Sequence, residues 1–136
     1  MALYNHTPRL FADGAVDLAN LHVILTNGYV FDATETGLTA VNAAEVSGNG
    51  WPVGGAAITT PAVTTVTSND AKLDGDDISI TATGGDIGPA DGLVVVDQTN
   101  NTPLKHFGFA SKTAGDGTPF NVTWGTAGII TWTNAA

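Results

Sequence analysis

The sequence predicts an all-β fold: an antiparallel β-sandwich or barrel, jelly-roll or immunoglobulin-like, with at most one short helix. Three observations predict it. Short apolar or alternating runs recur from Asp70 to Thr133 at roughly ten-residue spacing, the signature of such folds. Turn residues separate them at Gly84-Gly85-Asp86, Gly115-Asp116-Gly117 and Thr126-Ala127-Gly128. Charged residues are only 12% of the chain, about half the usual share, which suits a β-protein that packs against neighbours. A helix content above about a quarter would contradict this class.

The chain has 136 residues, which predicts one domain. It divides into an N-terminal arm, 1–14, and a single β-domain, 15–136. In the arm, Leu3, Tyr4, Leu10 and Phe11 are too apolar for a free tail. Pro8 keeps the arm out of a central strand, so these side chains are expected to contact a partner. Leu21 to Leu25 reads as a strand. Asn27-Gly28 then stands before Tyr29-Val30-Phe31, and Asn-Gly between two such runs predicts a hairpin. Leu38 to Val46, rich in alanine, is the helical candidate, stopped by the Ser47–Gly50 glycines. Trp51 lies in the glycine-rich loop 48–55. A tryptophan there either plugs the core or anchors a partner. Ile58 to Thr67 reads as a strand bent or broken at Pro61.

Ile78, Ile80 and Ala82 alternate with polar residues, the period of a half-buried strand. Leu93-Val94-Val95-Val96 is unbroken, as in a strand buried on both faces. Leu104 to Ala110 carries Phe107 and Phe109 on one side. Phe120 to Trp124 alternates, and Ile129 to Thr133 closes the series. The expected core is Leu25, Phe31, Ile78, Ile80, Val94, Val96, Phe107, Val122 and Trp124.

The net charge is −9, and Arg9, Lys72, Lys105 and Lys112 are the only fixed cations. Four scattered cations cannot neutralise a phosphate backbone, so neither nucleic acid nor an anionic membrane is an expected partner. The chain contains no cysteine, which leaves no disulfide and no thiolate metal site. Its first residues lack the basic-then-apolar order of a secretory signal, so synthesis in a host cytoplasm is expected. The Asn-x-Thr triplets at Asn5, Asn100 and Asn121 then carry no glycan.

No enzymatic role and no cofactor are expected. His6, His22 and His106 are far apart in sequence, and no nucleophile elbow, zinc helix or phosphate loop is present. The run Asp74-Gly75-Asp76-Asp77 offers several hard oxygens that could hold calcium, but it lacks the spacing of a calcium loop. Its other reading is a turn entering a strand, where Asp bonds its own backbone.

Several segments together resemble a family of small virion structural proteins of tailed bacteriophages. They are Leu3-Tyr4-Asn5-His6-Thr7, Leu10 to Gly14, Val30 to Thr34, Glu45 to Trp51, Ile87 to Gly92, and Phe120 to Trp124. The resemblance covers nearly the whole chain. It implies a place in the particle and supplies no catalytic residues. The first expectation is a capsid decoration, or cement, protein. Such a protein would be a homo-dimer or homo-trimer on the head surface, bound to the major capsid protein or other virion proteins. The second is a tail, adaptor or fibre component. The third is a host-surface or glycan-binding module, supported only by Trp51 and its loop. Leu3, Tyr4, Leu10, Phe11 and Trp51 are the candidate partner contacts.

Overall fold

Successive side chains of a strand point to opposite faces, so a run of four apolar residues needs cover on both sides. Leu93 to Val96 obtains it. Leu93 and Val95 belong to one buried cluster, and Val94 and Val96 to another on the opposite face. The computed structural model describes residues 2–66 and 70–133. Its strands are, in chain order, β1 (Ala2–Leu3), β2 (Leu21–Thr26), β3 (Glu45–Val46), β4 (Ala56–Ala57), β5 (Ala62–Thr65) and β6 (Ala71–Asp74). They continue with β7 (Ile78–Thr81), β8 (Ile87–Asp97), β9 (Thr102–Ala114), β10 (Pro119–Val122) and β11 (Ile130–Trp132). Two α-helices, α1 (Thr7–Ala12) and α2 (Thr39–Ala43), and one 3-10 turn (Leu18–Asn20) complete it. Strands take 44% of the described residues and helices 11%, which fixes the class as all-β and sandwich-like.

The main sheet runs β1-β9-β8-β2-β3, with β4 also on the free edge of β2. β8 lies at its centre. It pairs β2 from Leu21↔Asp97 to Thr26↔Gly92, and β9 from Ile87↔Ala114 to Asp97↔Thr102 with three irregularities. Two smaller antiparallel sheets, β10-β7 and β11-β6-β5, cover one face. Between them and the main sheet lies the larger core, with Leu21, Val23, Leu25, Trp51, Leu73, Phe120 and Ile130. The other face carries a smaller core in which Tyr4, Leu38 and Val41 cover Ile24, Val94 and Val96. No described helix is long and apolar enough to cross a membrane.

Three sequence expectations need correction. Two short helices are present where at most one was expected. The additional one, α1, lies in the arm, and Pro8 stands in its first turn, where a missing N–H costs nothing. The expected helix from Leu38 to Val46 shrinks to Thr39–Ala43 because Glu45 and Val46 pair with Thr26 and Leu25 instead. Asn27-Gly28 does not close a hairpin. The edge that Tyr29 to Phe31 would have taken on β2 goes to β3 and β4. The Gly28 amide donates to the Asp91 carboxylate at 3.1 Å. Tyr29 and Phe31 then cross the sheet and pack on the smaller core. The arm packs on the main sheet. β1 pairs Ala2 and Leu3 with His106 and Lys105, and the Thr7 hydroxyl donates to the Leu104 carbonyl at 2.7 Å.

Of the expected core, Leu25, Ile78, Val94, Val96 and Val122 are buried. Phe31, Ile80, Phe107 and Trp124 are half-buried at its margins. Of the strand expected from Ile58 to Thr67, only Ala62–Thr65 forms one, as β5, beginning after Pro61; Ile58 to Pro61 is not strand, and Thr67 lies outside the described residues.

Asp97 is fully buried at the β8–β9 turn. Its carboxylate accepts from the Asp17 amide at 2.9 Å, the Thr99 amide at 3.0 Å and the Asn100 side-chain amide at 2.7 Å. A buried carboxyl needs such partners; the Asp17 bond joins the turn to the segment before β2, and the other two close the turn itself.

Candidate interaction surfaces

Two of the five candidate contacts are core residues. Tyr4 is fully buried. Its hydroxyl meets that of Tyr29 at 2.6 Å, and its ring stands edge-on to Phe31 at 4.8 Å. His106 stacks on Phe31 at 5.5 Å and meets Tyr29 edge-on at 5.4 Å. Burial, reinforced by the Tyr29 contact, pushes the Tyr4 phenol well above its usual range. Burial also raises Tyr29 and lowers His106. The cluster is therefore kept neutral. It serves as an aromatic lining under the N-terminal segment, so Tyr4 offers no surface to a partner.

Trp51 is also buried, at 1% exposure. Its indole N–H donates to the Val23 carbonyl at 3.2 Å, and its ring meets Phe120 edge-on at 5.5 Å. Of the two readings of this tryptophan, the core one holds. The glycan-binding expectation thereby loses Trp51 and keeps only the loop.

Leu3 and Leu10 are half-buried against the larger core, as is Phe11. Phe11 meets Trp132 edge-on at 4.9 Å. Together they flank a cleft of about 470 Å³ between α1 and the outer small sheet, with Val16, Leu18, Val63 and Ala71. The sequence signalled Phe11, but Trp132 was hidden in the last strand.

A second cleft, of about 640 Å³, opens between β9 and β10. Phe107, Phe109 and Lys112 line one wall, and Phe120, Asn121 and Trp124 the other. Lys112 Nζ lies 4.5 Å over the Phe120 ring and donates to the Asn121 carbonyl at 3.1 Å. Lys105 Nζ lies 4.8 Å over Phe107 and donates to the Ile129 carbonyl at 2.8 Å. Burial lowers the Lys105 pKa. Lys112 thus lines the cleft, and Lys105 stands over the Phe107 ring of its wall, so cationic groups meet aromatic rings on an acidic body. Sequence reading missed this cleft because Phe107 and Trp124 fit a core pattern equally well. The available signal was the two lysines placed among aromatics on one strand.

The acidic run is occupied by structural bonds. Asp74 accepts from the Gly75 amide at 2.9 Å and pairs with Lys72 at 3.4 Å. Asp76 accepts from the Thr59 hydroxyl at 3.1 Å. Asp77 accepts from the Trp124 amide at 2.9 Å, and the Trp124 indole donates to the Asp76 carbonyl at 3.1 Å. The run thus positions Trp124 at the cleft. Among the described residues no group of three or more His, Asp or Glu is placed to hold a metal ion. His6 and His22 each aim a ring nitrogen at a backbone carbonyl, Pro103 at 2.6 Å and Gly55 at 2.9 Å.

No family model, no curated protein and no solved structure matches the chain.

Proposed function

We infer that this protein is a non-enzymatic structural component of a tailed-phage virion, a decoration protein that binds and stabilises the assembled head. The family resemblance of its segments supplies the phage context. The observation that carries the binding role is the pair of aromatic-lined clefts, Phe11–Trp132 and Phe107–Trp124, on a body with four fixed cations. Half-buried aromatic rings in shallow clefts suit the anchoring of another protein's side chains. The major capsid protein is the partner that a head location implies. Modest contacts repeated over a lattice hold firmly, because each bound subunit raises the effective concentration of the next site. Binding only the assembled state then stabilises it by mass action.

Quantitative mass spectrometry of purified virions tests the reading. A copy number that scales with the major capsid protein supports it. A copy number that matches a single ring or fibre replaces it with the tail component.

A further inference from the structure

We propose that Asn27 is a site of spontaneous covalent modification. The Gly28 backbone nitrogen displaces the Asn27 side-chain amide, the Asp91 carboxylate accepts the proton, and water then leaves an aspartate or isoaspartate at position 27. This modification is independent of the virion reading.

An asparagine followed by glycine can cyclise, because no side chain crowds the attacking amide. The chain holds two such pairs, Asn27-Gly28 and Asn49-Gly50, and their surroundings differ. Asn49 is locked. It lies in a two-residue turn closed by Gly48 and Trp51, whose backbones bond each other at 2.8 and 3.1 Å. Its side-chain amide donates to the Asp86 carbonyl at 2.7 Å and lies against Gly85. Bringing Asn49 Cγ onto the Gly50 nitrogen would break that bond and disturb a turn anchored in the core by the buried Trp51.

Asn27 has no such restraint. It is exposed, and among the described residues no hydrogen bond holds its side chain. The space about Gly28 is open, since a Cβ there would meet no atom within 4 Å. The Gly28 amide donates to both Asp91 oxygens, at 3.1 and 3.3 Å. Attack requires the loss of that amide proton, and the carboxylate is already its acceptor. The N–H bond lies in the peptide plane, whereas Cγ approaches from one face of it. Base and electrophile therefore address the same nitrogen without competing for one side.

The bonds balance without an oxidant or a metal. A bond forms from Gly28 N to Asn27 Cγ, the Cγ–Nδ2 bond breaks, and ammonia leaves with the proton relayed through Asp91. Water then opens the cyclic imide at either carbonyl. Cyclisation removes the Gly28 N–H and with it the Asp91 bond. Hydrolysis sets a new carboxylate near Asp91 on a chain already at −9, and like charges repel. The tether ahead of Tyr29 and Phe31, which pack on the smaller core, is weakened.

Incubation of the full chain at neutral pH with gentle warming, followed by peptide mass spectrometry that separates aspartate from isoaspartate, tests the proposal. Conversion is expected at Asn27, and Asn49 should react about tenfold more slowly or less. Asp91→Ala should slow conversion at position 27 about tenfold, within what a positioned base supplies. Asn27→Gln should stay unmodified there and keep its melting temperature through an incubation that lowers that of the wild type. No conversion, or equal conversion at Asn27 and Asn49, would overturn the proposal. Unchanged or faster conversion in Asp91→Ala would overturn the role of the carboxylate. A converted fraction, isolated by anion exchange, that melts with the starting protein would overturn the link to Tyr29 and Phe31.

Discussion

The indole N–H of Trp51 donates to the carbonyl of Val23, 3.2 Å away, and so fastens the glycine-rich loop to a strand of the main sheet. Gly55 completes the attachment. A Cβ there would stand 2.5 Å from the same carbonyl, and the backbone has φ +94°, which L side chains rarely adopt. The loop therefore lies directly against β2, and Trp51 fills the space between β2 and Phe120.

Trp51→Ala should consequently destabilise the fold by about 3–5 kcal/mol. Urea unfolding monitored by circular dichroism checks this. An unchanged midpoint would mean that the indole does not plug the core.

Asp97→Ala should cost about 3 kcal/mol, because it removes a buried acceptor and leaves several donors unpaired. The same unfolding experiment applies. A loss below about 1 kcal/mol would show that water replaces the carboxylate without difficulty.

His106 should make stability depend on pH. Burial holds its folded pKa below the ordinary value. The unfolded chain therefore takes up the proton first, near pH 6.5, and the folded chain only at lower pH. The contribution is complete above about pH 6.5 and is lost as pH falls from there toward the folded pKa. Unfolding free energies of wild type and His106→Phe, compared across this range, should diverge, with the wild type losing more on acidification. Parallel curves would contradict the assignment.

Much of the β-body was legible in the sequence because local pattern and tertiary demand agree there. Leu93 to Val96 reads as a doubly buried strand and is one, and Ile78 and Val122 take the buried positions that their alternation predicts. The failures occur where a distant partner decides. Asn27-Gly28 is a strong hairpin signal, yet β3 and β4 occupy the edge of β2 and Asp91 takes the Gly28 amide. Tyr4 looked like a surface anchor because nothing nearby in sequence reveals Tyr29 and Phe31 closing over it. For the clefts, Phe11 was visible and Phe107 and Trp124 were not. An aromatic side chain at a core margin obeys the same alternation as one inside.

The β9–β10 cleft should carry partner binding. Phe109→Ser should weaken attachment to heads about tenfold or more, equivalent to ~1.4 kcal/mol, and cost the fold proportionately less, because the ring is only partly packed against the core. Surface plasmon resonance on immobilised heads reads the first quantity and calorimetry the second. Equal loss of fold and binding would assign Phe109 to packing instead.

The measurement that bears most directly on the proposed role is the heat resistance of particles stripped of this protein and then restored. Stripped heads should remain intact but rupture at a lower temperature, and adding back the purified chain should bind saturably and restore the original rupture temperature. Stripped particles that keep their heat resistance but fail to adsorb to cells would contradict the cementing role and assign the protein to the tail or to receptor binding.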